Sequence, residues 1–150
     1  MSESEQPNPV AAPVEPTRRE RLKFTDFQFR RFSDGRCVAQ TEFEWLDGVK
    51  VRGEASGQSS PTVDLRVAAE AALRAIETFS EGSLAFELIG VKSVRAFDAN
   101  VVIVSIANKK PEGPRRLLGS ALVEADPARG AVVAVLTATN RVLGNFIATR

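Results

Sequence analysis

The residues that could do chemistry in this sequence are few, and the missing types narrow the chemistry further. There is no histidine and no tyrosine, and Cys37 is the single cysteine. Histidine is the commonest acid–base catalyst and metal ligand near neutral pH, so its absence excludes Ser–His and Cys–His sites and most zinc or iron sites. Cys37 alternates with apolar residues and is predicted to be a buried thiol. Glu42, Glu44 and Glu54 have no partner acid at a catalytic or metal-binding spacing, so we expect no catalytic residue, no metal and no cofactor.

The overall charge points to neither nucleic acid nor an anionic membrane as a partner. Twenty basic and nineteen acidic side chains leave a net charge of +1, without the excess that phosphate-rich partners attract. One cysteine allows no intramolecular disulfide. No signal peptide is expected at the N-terminus, and no apolar run is expected to approach the roughly eighteen residues that span a bilayer. We therefore expect a cytoplasmic protein.

The first twenty residues differ in composition from the rest of the chain. Residues 1–17 contain four of the eight prolines among polar residues, without apolar periodicity. Such a segment cannot bury enough surface to offset its ordering entropy. Residues 1–20 are therefore predicted to form a disordered tail, and 21–150 a single domain.

The sequence from Leu22 predicts three antiparallel strands. Apolar and polar residues alternate, and the turn sequences Ser33-Asp34-Gly35 and Asp47-Gly48 separate the strands. The alternation slips between Phe24 and Phe27, which predicts a bulge.

An amphipathic helix is predicted to follow these strands. Ser60 or Thr62 can cap it, Pro61 suits its first turn, and Ser80-Glu81-Gly82 ends it.

The same order of elements then repeats. A strand from Leu84 to Phe97 is interrupted near Gly90, a buried strand covers Val101–Ile106, and a third runs from Arg116 to Val123. Asp126-Pro127 starts a helix that is expected to end at Gly144. The basic residues beside the polar hairpin loop are expected to be solvated; they are Lys109, Lys110, Arg115 and Arg116.

A period near 66 residues relates the two halves, and Arg74 and Arg141 are expected to be equivalent. We predict an α+β fold of two tandem βββα units, 21–80 and 82–148, with pseudo-twofold symmetry and antiparallel sheets packed with two helices.

Val101–Ile106 is apolar on both faces, as in strands buried on both sides. With only two helices to cover two sheets, the outer face near Val102 and Val104 is expected to be covered by a second subunit. A twofold homodimer is the result.

Two sequence stretches resemble a known family. Gly53-Glu54-Ala55-Ser56-Gly57 precedes the first helix, and Leu118-Gly119-Ser120-Ala121 to Asp126 precedes the second, which closes with Asn140-Arg141. This arrangement is similar to the C-terminal regulatory domain of 2-isopropylmalate synthase and citramalate synthase, over about residues 22–146. The catalytic barrel of those enzymes has no counterpart in this chain.

The resemblance implies a domain that binds a feedback amino acid, leucine or isoleucine, near its glycine-containing loops and that helps subunits to dimerise. The ligand-binding residues that it implies are Gly53, Ser56, Gly57, Gly119, Ala121 and Asp126. Two structural alternatives stay open. Glycines that end strands can be bulges or tight packing points, and an acid at a helix start is favoured by the helix dipole alone.

Three functions follow as hypotheses. The first is a free-standing, non-catalytic module that senses a leucine-like effector, dimerises and acts on a separate enzyme or partner protein. The second is an assembly module without a small ligand, for which a stoichiometric partner in the native host would be the sign. The third is an enzyme that works with carboxylates alone.

Overall fold

The predicted α+β fold is confirmed by the computed structural model, which describes residues 21–148. The predicted tail, residues 1–20, lies outside the described residues. Two three-stranded antiparallel sheets each precede a long helix. The elements in chain order are β1 (Lys23–Arg31), β2 (Arg36–Trp45), β3 (Val49–Gln58), α1 (Pro61–Phe79), β4 (Phe86–Ala96), β5 (Ala99–Asn108), β6 (Arg116–Leu122) and α2 (Pro127–Ala148), with a 3-10 turn at Leu46–Gly48.

Local sequence signals set the ends of both helices. Ser60 caps α1 by accepting the Val63 N–H at 3.2 Å, and Gly82 takes a φ of 84° just after the helix. Asp126 caps α2 by accepting the Ala128 N–H at 3.1 Å. Helix α2 continues to Ala148, past its predicted end, because the glycine at that point has a φ outside the left-handed region and does not terminate the helix.

The internal repeat extends to the irregularities of the strands. The register shifts between Phe24 and Asp26 in β1, and again between Leu88 and Gly90 in β4. Both predicted interruptions are thus bulges, and they occupy corresponding positions in the first sheet (β1–β3) and the second sheet (β4–β6). A shared bulge at one point of the ladder defines which residues of the two units correspond.

Two glycines let each helix lie against the last strand of its sheet. A Cβ atom on Gly53 would collide with the backbone of Ala71 and Ala75 in α1. A Cβ atom on Gly119 would collide in the same way with Ala134 and Ala138 in α2. The two glycines are therefore equivalent, and each is required by close backbone packing.

The helix positions that meet these glycines correct one prediction. Gly53 and Gly119 are 66 residues apart (119 − 53), but Ala75 and Ala138 are 63 apart (138 − 75). Helix α2 is therefore displaced by three residues relative to its sheet, and the counterpart of Arg74 is Thr137. The expected equivalence of Arg74 with Arg141 is wrong, because strand register and helix register do not share one period.

The inner faces of the sheets form the core with the two helices. Helix α1 packs on β2, β3 and β4, helix α2 packs on β5 and β6, and the helices pack against each other. In β5, Val102 and Val104 are fully buried, while Ile103 is 39 % exposed. The prediction that Val102 and Val104 line the outer face is therefore wrong. Val104 lies opposite Gly119, which faces α2, so the register with β6 turns the other residues of β5 outward.

Candidate functional site

The six residues implied by the resemblance lie on two separate sheets. Gly53 and Gly57 on β3 face α1, and a Cβ atom on Gly57 would lie 3.0 Å from the Val63 side chain. Ser56 is exposed on the opposite face of β3. These positions form no cavity with one another.

The remaining three residues lie in the second unit. Gly119 is buried against α2, Ala121 is half-buried on the same face of β6, and Asp126 is the exposed cap of α2. Neither cavity described below is lined by any of the six residues. Their ligand-binding role stays a prediction, and packing accounts for both central glycines.

A buried carboxylate joins the first turn of α1 to the first sheet. Asp64 accepts hydrogen bonds from Arg31 at 2.7 Å and from Ser59 at 2.8 Å. Burial by itself raises the pKa of Asp64, but these hydrogen bonds and the Arg31 charge bring it below its ordinary value. Burial, followed by the nearby Asp64 charge, raises the pKa of the Cys37 thiol. Cys37 is buried, as predicted, and its protonated thiol is a poor nucleophile.

One cavity lies beside the β5–β6 hairpin loop, and we call it the hairpin cavity. Its volume is about 410 Å³, within the range of small-molecule sites. It opens between the hairpin loop, the α1–β4 connection and the end of α2. The lining residues are Ser83, Leu84, Asn108, Lys110, Glu112, Gly113, Val142, Asn145 and Phe146.

The hairpin cavity combines two opposite charges with an apolar floor. Lys110 and Glu112 stand on the same loop, and neither forms an ion pair with another described residue. Leu84 and Val142 are 8 % and 7 % exposed. Separate cationic and anionic groups over an apolar floor can accept the carboxylate, the ammonium and the side chain of an amino acid.

Asn108 holds the loop that carries these charges. Its side-chain amide donates to the carbonyl oxygens of Glu112 at 2.8 Å and Pro114 at 3.1 Å, and its oxygen accepts the Lys110 N–H at 3.2 Å. Asn108 is itself buried. A buried side chain with three loop contacts pre-organises the cavity wall, which lowers the cost of binding.

A second cavity, the arginine cavity, lies between β6 and the C-terminal half of α2. Its volume is about 750 Å³, and Arg21, Arg116 and Arg141 line it. No aspartate or glutamate is among its described lining residues. The buried side chains of Leu22, Leu117 and Leu143 form an apolar wall.

The outer faces of the two sheets differ in polarity. On the first sheet, Glu42 accepts hydrogen bonds from Thr25 at 2.8 Å and Arg52 at 3.0 Å, and Lys50 lies 3.8 Å away. The Thr25 hydrogen bond, with those basic neighbours, lowers the pKa of Glu42. On the second sheet the outward residues include Val94, Val101, Ile103, Leu118 and Leu122. Leu118 and Leu122 are 68 % and 62 % exposed.

Sequence inspection missed the two cavities. Lys110 and Arg116 were expected to be merely solvated beside the hairpin loop, yet each lines a cavity. The local signal was weak, since a basic residue in a polar loop is ordinarily solvated. Only the return of α2 beneath the loop creates either cavity.

Helix α2 has the length and composition of a membrane-spanning segment. The expectation that no segment reaches that size is therefore wrong. Many α2 residues are buried against β5 and β6, as in the core helix of a soluble protein, and the cellular location stays a prediction. Among residues 21–148, no cluster of three or more His, Cys, Asp or Glu side chains could hold a metal.

No protein-family model matches the sequence, and no curated protein matches it. The resemblance to the regulatory domain of the isopropylmalate synthases stays a prediction, while the βββα repeat is established by the fold.

Proposed function

We propose that this chain is a non-catalytic regulatory module that binds a leucine-like amino acid in the hairpin cavity and works as a homodimer. The observation that carries the proposal is the pairing of Lys110 and Glu112, which have opposite charges and no ion-pair partners among the described residues, above the apolar side chains of Leu84 and Val142. Lys110 would bind the carboxylate and Glu112 the ammonium group.

The dimensions of the hairpin cavity favour a small effector. A volume of about 410 Å³ is ample for one free amino acid. The buried Leu84 and Val142 side chains offer an apolar surface to a branched aliphatic chain. Because each charged group would lose water on binding, a ligand that lacks either charge should bind much more weakly.

Isothermal titration with leucine, isoleucine and valine tests the proposal. A ligand at 100 times its dissociation constant should stabilise the fold by about 2.7 kcal/mol, which a thermal melt detects. Lys110→Gln and Glu112→Gln should each weaken binding about tenfold, because each removes a charge-assisted hydrogen bond. Lys109→Gln is the matched control, since Lys109 is exposed and does not line the cavity. Absence of heat and of a thermal shift with all three amino acids would refute it.

A second function, assembly without a small ligand, is favoured by the apolar outer face of the second sheet. Such a face is well suited to pairing with another subunit or a partner protein. Co-purification from the native host distinguishes the two functions. A stoichiometric protein partner whose binding ignores amino acids would favour assembly, and a dimer whose stability responds to leucine would favour sensing.

A further inference from the structure

The arginine cavity lies at a place where the two units of the repeat differ. The bulges make Phe24 of β1 correspond to Leu88 of β4. Two residues earlier, Leu22 therefore corresponds to Phe86. The first position is aliphatic and the second is aromatic, so the two junctions between a helix and the start of a strand are filled differently.

The helix side of the junction differs as well. With the helix register of 63 residues, Glu77 of α1 corresponds to Asn140 of α2. Glu77 accepts the Phe86 N–H at 2.9 Å, and Phe86 is 8 % exposed, so the α1–β4 junction is closed. At the α2–β1 junction, Asn140 and Leu22 both line the arginine cavity. A carboxylate and a ring are thus replaced by a neutral amide and a smaller side chain.

Packing of the whole elements agrees with this difference. Helix α1 packs along β4, whereas helix α2 makes few contacts with β1. The fold itself does not require an opening here, because the equivalent position in the same chain is closed. The cavity is therefore a property of the α2 side alone.

The charge of this cavity is of one sign. Arg21, Arg116 and Arg141 line it, and none of them forms an ion pair with a described residue. The only side-chain contact of Arg116 is a 3.4 Å approach to Ser105. Guanidinium groups favour planar carboxylates, which they bind in a bidentate manner.

We propose that the arginine cavity binds a small organic acid that combines a carboxylate with an uncharged aliphatic body. The arginines would bind the carboxylate, and Leu22, Leu117 and Leu143 would contact the aliphatic part. No acidic side chain lines the described part of the cavity, so an ammonium group would find no counter-charge. The site is separate from the hairpin cavity, with which it shares Asn145, and it stands whether or not the hairpin cavity binds an amino acid.

A set of three ligands with the same chain length tests this chemistry. Hexanoate, hexanamide and hexylammonium differ in the charge of the head group and share the aliphatic body. Titration of the full chain, followed by amide NMR shifts, should show saturable changes near Leu117, Leu143 and Gly144 with hexanoate. Hexanamide and hexylammonium should leave these amides unchanged at the same concentration. Equal binding of hexanoate and hexanamide would overturn the proposal, and so would no binding of hexanoate.

Substitutions locate the site. Arg141→Gln should weaken hexanoate binding about tenfold, while Arg95→Gln, at an exposed position outside the cavity, should leave it unchanged. Leu22→Phe installs the residue that closes the equivalent junction and should abolish binding.

The arginine substitutions decide the question even where Leu22→Phe fails to fold. Full hexanoate affinity in an Arg116→Gln, Arg141→Gln double variant would overturn the proposal. Leucine binding should be unaffected by Arg141→Gln, which separates failure of this site from failure of the hairpin cavity.

Discussion

At the scale of single residues, Asp64 is the main polar contact between the first sheet and α1. Its carboxylate is 13 % exposed and accepts hydrogen bonds from Arg31 on β1 and Ser59 after β3. The ion pair with Arg31 is partly screened, because the Arg31 side chain is 64 % exposed. The Ser59 contact is local and holds the start of the helix.

Asp64→Asn should lower the free energy of unfolding by about 1 kcal/mol at neutral pH. The folded pKa of Asp64 is lowered from its ordinary value of 3.8, so its contribution is present above that value and is lost as pH falls through the folded pKa. Urea unfolding at pH 7 and at stepwise lower pH measures this. The variant and the parent should converge in acid, whereas Glu124→Gln, at an exposed acid, should match the parent throughout. A difference that does not change with pH would contradict the ionic role.

Thr41 carries a buried hydroxyl that has no hydrogen-bond partner among the described residues. Thr41→Val keeps the shape of the side chain and removes the unsatisfied group, so it should stabilise the fold by about 1 kcal/mol. Thr41→Ser keeps the hydroxyl and removes the methyl group, and it should destabilise. Chemical unfolding of both variants checks the pair; a loss of stability in Thr41→Val would mean that the hydroxyl is satisfied.

At the scale of elements, the contact between each helix and its sheet depends on one glycine. Gly53→Ala and Gly119→Ala should each destabilise by about 3 kcal/mol, because the new Cβ meets helix backbone that cannot rotate away. Gly144→Ala is the control. Nothing lies within 4 Å of its added Cβ, so it should stabilise α2 by roughly 0.5–1 kcal/mol. Thermal melts of the three variants measure these effects, and a neutral Gly119→Ala would contradict the equivalence of the two units.

The β4–β5 hairpin has an unusual turn. Phe97 and Asp98 form a two-residue loop with φ of 52° and 60°, which is the type I′ geometry that favours Asn-Gly. Phe97 is fully exposed and contributes no packing within the described residues. Replacing Phe97-Asp98 by Asn-Gly should raise the free energy of unfolding by about 1 kcal/mol. A decrease, measured by urea unfolding, would mean that Phe97 stabilises the fold in a way that its exposure does not suggest.

At the scale of the whole molecule, the two sheets act as internal references for each other. Gln40 in β2 corresponds to Ile103 in β5, because Thr41 lies opposite Gly53 and Val104 lies opposite Gly119. Ser56 corresponds to Leu122 in the same way. The fold therefore accepts polar residues at these outer positions, and apolar residues there on the second sheet favour a contact beyond the chain.

A homodimer through the outer face of the second sheet is the expected result. The double variant Ile103→Gln, Leu122→Ser carries residues that the equivalent positions of the first sheet tolerate, so it should separate the dimer without unfolding the subunit. Sedimentation equilibrium at micromolar concentration measures the change. Gln40→Ala, on the polar sheet, should leave the dimer intact. A parent protein with the mass of one chain would contradict the prediction.

Several features were predictable because their causes are local. Ser60-Pro61 and Asp126-Pro127 start helices through hydrogen bonds to amides two or three residues away. The slips near Phe24 and Gly90 revealed the bulges, since alternation is a property of the strand itself. The order of strands and helices, and hence the βββα repeat, followed from such signals.

Tertiary structure decided what depends on contacts between distant segments. Val101–Ile106 is apolar throughout, so period-two alternation cannot tell its faces apart, and only the pairing of Val104 with Gly119 buries one set. The arginine cavity depends on the difference between Leu22 and Phe86, and on a three-residue displacement of α2 that no local pattern encodes. Helix packing on a sheet is set by where side-chain volume is absent, as at Gly119, and that position acquires its meaning only when the two elements meet.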